Sequence, residues 1–256
     1  MEPTHLDLED VIAVASVLGL SDDAFIVGGQ ASNLWAERYA TRAEELWDYG
    51  PFTSKDVDYY GHRKAATKLA NAFNGKVLFP NLDQSTVNSA VVEVTVNGKL
   101  IVIDFIHSVL GVKSRDLRAS ELVVRARLPD RTTLIIPILH PIACLKSRVA
   151  NVLNPALRRT DAVALRQLQA APIVVREYIL EALEAGDFRE AQTCLRALFE
   201  YLRSDEYGQR VHRDLQIDLL EIIRGFATHP RLDERFREHN VQTMLRVIEE
   251  RRSHGQ

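Results

Sequence analysis

Thr53-Ser54-Lys55-Asp56-Val57-Asp58-Tyr59-Tyr60-Gly61 sets two aspartates one residue apart at the head of a β-type run. Side chains alternate across a strand, so Asp56 and Asp58 point to one face and Val57 to the other. Neighbouring carboxylates repel one another unless their pKa values shift or a cation joins them. An oxygen-seeking divalent ion such as Mg2+, which takes carboxylates together with substrate phosphates, answers that repulsion. Upstream, Phe25-Ile26-Val27-Gly28-Gly29-Gln30 is an apolar run ending in a glycine pair, and a helical pattern follows from Ala31 to about Tyr39. Bare backbone N–H groups at such a helix start suit a phosphate. Downstream, Asp104 stands in an almost unbroken apolar run from Leu100 to Ile106, the pattern of a strand buried on both faces. An ionised carboxylate there needs a cation, a donor or a metal. Each feature alone has an ordinary explanation, a solvated turn for Asp-x-Asp and a common helix start for Gly-Gly; together they read as one site for a metal triphosphate.

The order apolar-Gly28-Gly29, Asp56-x-Asp58, then a lone Asp104 on a later strand resembles the DNA polymerase beta-like nucleotidyltransferase superfamily. Within it, Val27-Gly28-Gly29-Gln30-Ala31, Thr53 to Asp58 and Leu139-His140-Pro141 to Lys146 are similar to the AbiEii-like branch of toxin nucleotidyltransferases. The superfamily resemblance covers about residues 20 to 110, and the branch resemblance extends it through Lys146 and Asp161. It implies a two-metal Mg2+ site on Asp56, Asp58 and Asp104, with an NTP as substrate. Gly28, Gly29, Ser54 and Lys146 would hold the nucleotide's phosphates, and Asp161 would orient Lys146 or the acceptor. The implied function is transfer of NMP to an acceptor hydroxyl, tRNA first among acceptors, by a toxin-like enzyme of a toxin-antitoxin or phage-defence system with a cognate antitoxin as a further partner. Two other readings keep the same residues: adenylylation of a small molecule such as an antibiotic or of a protein, and a non-catalytic NTP-binding partner. The chain departs from the pattern in two places. Ala40 to Phe52 lengthens the path from the glycines to Asp56, implying an inserted or extended helix, and Ala164 stands where a second acid often follows Asp161. Lys146 also reads as a surface lysine. Trp47, Tyr49 and Phe52 in the insertion are either a wall for a base or packing, and packing is the ordinary expectation.

The 256 residues, 46% hydrophobic and 26% charged, suit one large domain or two smaller ones. A net charge of -3 gives no global basic signature, so any RNA contact rests on a local patch. Cys144 and Cys194 lie in apolar helical patterns without metal-ligand spacing, which predicts reduced, buried thiols and no disulfide. The first residues lack a basic segment followed by an apolar core, and no run is long enough to span a bilayer; the expectation is a cytoplasmic protein with no membrane partner.

Local signals fill in the rest. Leu6 to Leu18 predicts a helix with Asp7, Glu9 and Asp10 in its first turn, and His62 to Phe73 another, ended by Asn74-Gly75. Lys64 and Lys68, one turn apart on it, read as a solvated face. Ala90 to Val96, Asn97-Gly98 and Lys99 to Ile106 predict a hairpin with a two-residue turn. Its register sets Val96 opposite Lys99, Glu93 opposite Val102 and Val91 opposite Asp104. Glu93 would then border the site, holding an outer water of the metal or pairing with a base. Glu121 to Leu128 and Thr132 to Ile136, joined by Pro129-Asp130-Arg131, predict an edge hairpin. From His140 onward the pattern is helical alone. One helix opens near Pro141, one begins at Pro172 and ends at Gly186, Asp187 caps the next, and Leu215 to Phe226 and Arg231 to Arg251 complete a bundle with alternating acids and arginines on its surface. The expected fold is α+β: a mixed sheet of nucleotidyltransferase type with flanking helices over residues 1–138, then an all-α bundle over 139–256.

Overall fold

The computed structural model describes residues 6–53, 56–81, 87–127 and 131–254. Its strands are β1 (Phe25–Val27), β2 (Val57–Tyr60), β3 (Lys76–Leu78), β4 (Asn88–Val96), β5 (Lys99–Ile106), β6 (Glu121–Arg127) and β7 (Thr133–Leu139). They form one mixed seven-stranded sheet in the order β3-β4-β5-β2-β1-β7-β6. β2 runs parallel to β5 and β1 parallel to β7, while β1 and β2 are antiparallel. The central pair is thus assembled from distant pieces of chain, and the two local hairpins extend the sheet on either side.

The β4–β5 hairpin has the expected register, with Val96 opposite Lys99, Glu93 opposite Val102 and Val91 opposite Asp104. Asn97 and Gly98 both have positive φ, 50° and 77°, the backbone of a turn whose twist matches that of its strands. Asn97 also donates to the buried Asp10 at 3.0 Å, and Lys99 Nζ lies 2.6 Å from the same carboxylate. Asp10 belongs to α1 (Leu8–Ala15), where it completes a capping box with Asp7. Turn and helix are therefore fastened by one buried, fully paired acid, and Asp7 caps the helix from outside its first turn.

Burial on β5 differs from the expectation of a strand covered on both faces. Ile101, Ile103 and Phe105 are buried, whereas Leu100 and Val102 are exposed and Asp104 is half-buried. An apolar run thus has one open face, and that face carries Asp104. The opposite face packs under α2 (Gly28–Tyr39) and α3 (Arg63–Ala72) in the first hydrophobic core. In the stretch between α2 and β2, where an inserted or extended helix is expected, the described residues form a 3-10 segment, Glu44–Tyr49.

A short α4 (Ser114–Leu117) precedes β6. After β7 come α5 (Pro141–Leu153), α6 (Ala162–Glu184), α7 (Phe188–Ser204), α8 (Glu206–Leu215), α9 (Leu220–Gly225), a π-helical turn at Phe236–Val241 and α10 (Gln242–His254). These gather a second core, and α5 and α6 serve both. Ala143, Cys144, Ala170 and Val174 face the sheet's core, while Leu145, Val149, Leu168 and Val175 face the bundle. At the seam Trp35 Nε1 donates to the Leu139 carbonyl at 2.8 Å, and Arg38 pairs with Glu181.

Helix boundaries at Pro172 and Leu215 depart from the sequence reading. Pro172 lies inside α6 instead of opening a helix, because that helix is held by apolar contacts on both sides and tolerates one missing N–H. Leu215 ends α8, and Gln216 adopts φ 57° before α9 begins. Some arginines of the bundle are tied to acids, among them Arg210 to Asp214, Arg224 to Glu249 and Arg252 to Asp218, while others such as Arg189, Arg231 and Arg235 have no ion pair among the described residues. No helix among the described residues is long and apolar enough to cross a membrane.

Candidate active site

The parallel register of β2 and β5 sets Asp58 directly beside Asp104. Asp56 precedes β2 by one residue and is exposed. The three carboxylates feel one another. Burial pushes the Asp58 carboxyl up to about 7, the charges of Asp56 and Asp104 add to the rise, and Arg148 and Arg159 oppose it. Asp104 is raised by burial and then by Asp56, and its Oδ1 accepts from Asn88 Nδ2 at 3.1 Å. A set of acids held together on an open strand face matches the oxygen donors that a divalent ion takes.

β1 delivers the glycine turn to the same place. Val27 pairs with Asp58, and Gly28 follows at φ 66°. A Cβ on Gly28 would stand 1.9 Å from Asp58 Oδ2, so the carboxylate rests on the bare Cα. α2 starts at this glycine with no side-chain cap and no acid in its first turn. Its first N–H groups therefore present partial positive charge beside the acids. Ser54, expected to help hold phosphate, lies outside the described residues, as does Lys55.

Of the two cations on α5, the one whose charge acts on the acids is Arg148, not Lys146. Successive residues turn by about 100° around a helix, so positions two apart on α5 look in nearly opposite directions. Lys146 goes the other way. Its Nζ lies 5.5 Å from the centre of the Tyr201 ring, its charged neighbours are Asp205, Asp116 and Lys113, and burial lowers its pKa. It lines a cavity of about 620 Å³ on the bundle side of α5. Arg148 is buried, and its charged neighbours include Asp58, Asp56 and Arg159. Its Nη1 donates to Gln167 Oε1 at 2.8 Å, and Gln167 Nε2 in turn donates to Asn33 Oδ1 at 3.0 Å and lies 3.4 Å from the Gly29 carbonyl. A relay of amides thus ties the guanidinium to the glycine turn. The sequence signal for Arg148 was available: α5 is apolar on both faces, so either of its two charges had to find a site.

Asp161 caps α6, accepting from Ala164 N–H at 3.0 Å, and so serves the helix rather than Lys146. Glu93 has the predicted register and faces Lys76 across the β3–β4 ladder.

A second cluster sits at the start of α5. His140 Nε2, Glu190 and Cys194 converge closely enough to hold a metal. The hydrogen bonds assign them otherwise. His140 Nδ1 accepts from Ile142 N–H at 3.0 Å, which leaves the ring proton on Nε2, 3.0 Å from Glu190 Oε1. Tyr178 O–H and Cys194 S–H donate to the same oxygen at 3.0 and 3.4 Å. The His140 hydrogen bond, with those of Tyr178 and Cys194, holds Glu190 down to about 2 despite its burial. A folded-state value below the ordinary one means stabilisation that is complete above about pH 4.5 and fades as the pH falls toward 2, on the order of 2 kcal/mol after allowance for partial exposure. Denaturant unfolding at pH 6 and pH 3 checks this: Glu190→Gln is expected to be the less stable at pH 6 and to lose less on acidification. Equal losses in the two proteins would remove Glu190 from the account.

Comparison with family models, with curated proteins and with solved structures gives no match for this chain.

Proposed function

We propose that the chain is a metal-dependent nucleotidyltransferase of the nucleotidyltransferase fold, moving NMP from an NTP to an acceptor hydroxyl with release of pyrophosphate. The observation that carries this reading is the convergence of Asp56, Asp58 and Asp104 against the Gly28 turn, acids from two strands meeting an uncapped helix start. Mg2+ held by these carboxylates would supply charge neutralisation on the triphosphate and on the attacking oxygen. The chain's own groups do the rest. The N–H groups at Gly28 and Gly29 hold phosphate oxygens, and Arg148 with Arg159 offsets the charge that collects on the leaving pyrophosphate. The acceptor oxygen forms its bond to the α-phosphorus, the bond from that phosphorus to the β-phosphate oxygen breaks, and the hydroxyl proton passes to Asp104.

The resemblance points to tRNA as acceptor and to a toxin-like role with an antitoxin partner. Pyrophosphate release measured with each of the four NTPs, Mg2+ and total RNA tests both levels. Release that requires RNA, with label from the α-phosphate appearing in the tRNA band, is the expected result. Release that requires an aminoglycoside or a protein instead would move the acceptor to that class, and Mg·NTP binding without release under any condition would leave only a binding partner.

A further inference from the structure

Beside the glycine turn, along α2, lies a cavity of about 270 Å³ whose lining includes Gln30, Asn33, Leu34, Trp47, Phe52 and Thr53. Its position is set by the chain: Gln30 follows Gly29 directly, and Thr53 is three residues before Asp56. Trp47 and Phe52 offer flat aromatic walls and Leu34 an aliphatic one. Gln30 and Asn33 are 4% and 3% exposed, and Gln30 Oε1 and Asn33 Nδ2 have no hydrogen-bond partner among the described residues. Buried amide atoms are normally paired, so an acceptor and a donor left over on one helix face, three residues apart, need a reason.

The free donor on Asn33 is chemically determined. Arg148 can only donate, so the Gln167 oxygen faces it and the Gln167 NH2 faces Asn33. Asn33 must then offer its oxygen to Gln167 and turn its NH2 away. The same relay that ties the guanidinium to the glycine turn thus leaves the Asn33 NH2 unpaired among the described residues, on a side chain that lines the cavity.

We propose that this cavity takes the nucleobase of the NTP whose phosphates lie at the acids, an inference that rests on the nucleotidyltransferase reading. Every RNA base carries a donor and an acceptor side by side on its pairing edge, which matches Gln30 Oε1 and Asn33 Nδ2 after a side-chain adjustment that admits the ring. The volume lies just under the roughly 300 Å³ at which pockets for whole drug-sized ligands begin. It suits a ring system alone, with ribose and phosphates left outside toward Asp58.

Two measurements test it, each with Mg·NTP and with Mg·tripolyphosphate, which has no base. Gln30→Met keeps the length and removes the amide. It is expected to weaken Mg·NTP binding about tenfold, leave Mg·tripolyphosphate binding unchanged, and raise the melting temperature because a buried unpaired acceptor is gone. Trp47 is 56% exposed and is one of two tryptophans, so NTP but not tripolyphosphate is expected to change the fluorescence, and Trp47→Phe to abolish the change. A Gln30→Met protein that melts lower and binds NTP normally makes Gln30 structural and overturns the proposal. Tripolyphosphate binding as tightly as every NTP overturns the base assignment while the transferase reading stands, and failure of wild type to bind either probe sinks both.

Discussion

Asp58→Asn is expected to reduce NMP transfer by on the order of a thousandfold or more, equivalent to about 4 kcal/mol of lost transition-state stabilisation. The substituted amide would keep the shape and hydrogen-bonding size of the native side chain, so the loss would report charge alone. Asp58 is the middle member of the trio, in register with Asp104, two residues from Asp56 and seated on Gly28. No other carboxylate among the described residues has that position. The same variant is expected to melt slightly higher than wild type in EDTA, since a buried charge beside two like charges is removed. Mg2+ should then raise the melting temperature of wild type and leave the variant unmoved. Pyrophosphate release and thermal melts with and without Mg2+ read all three effects, and transfer by the variant at the wild-type rate would refute the assignment.

Gly28→Ala should be nearly as damaging, for a steric reason. A left-handed φ costs an alanine about 1–2 kcal/mol, and its methyl would need the space that Asp58 Oδ2 occupies, 1.9 Å from the ideal Cβ. The carboxylate is the end of a side chain and can give way, so the protein is expected to fold. It would fold with Asp58 displaced from its neighbours. The expected result is therefore a modest loss in denaturant midpoint together with a loss of transfer of at least about a hundredfold, because ångström-scale misplacement at a reacting centre has effects of that size. Gly98→Ala is the control: its φ is 77° but nothing lies within 4 Å of the added methyl. It should show the backbone penalty and full activity. Matching activity losses in the two variants would mean that activity follows stability, not the seating of Asp58.

Much of the sheet was legible in the residues. Asn97-Gly98 names its own turn, and once the turn is set the pairing of Val91 with Asp104 follows by counting. The Gly28-Gly29 turn, the capping role of Asp187 and the buried stripe Ala191, Cys194, Leu195, Leu198 and Leu202 were likewise read from neighbours a few positions apart. Other features carried no local mark. Asp205 caps α8, a helix absent from the sequence reading, and Gln216 takes a left-handed backbone that its residue type does not announce. The open face of β5 was hidden because Leu100 and Val102 are as apolar as the buried residues between them.

By itself the sequence determined the register of the β4–β5 hairpin and most helix starts, because each of these depends on dihedral preferences and hydrogen bonds within about one turn of chain. Tertiary structure alone decided that β2 lies beside β5, that Arg148 rather than Lys146 looks toward the acids, and that Gln30 and Asn33 keep hydrogen-bonding groups unpaired among the described residues. The reason is geometric. A helix wedged between two hydrophobic cores is apolar on every side, so its pattern no longer says which face meets which neighbour. That choice rests with the packing of elements far apart in the chain.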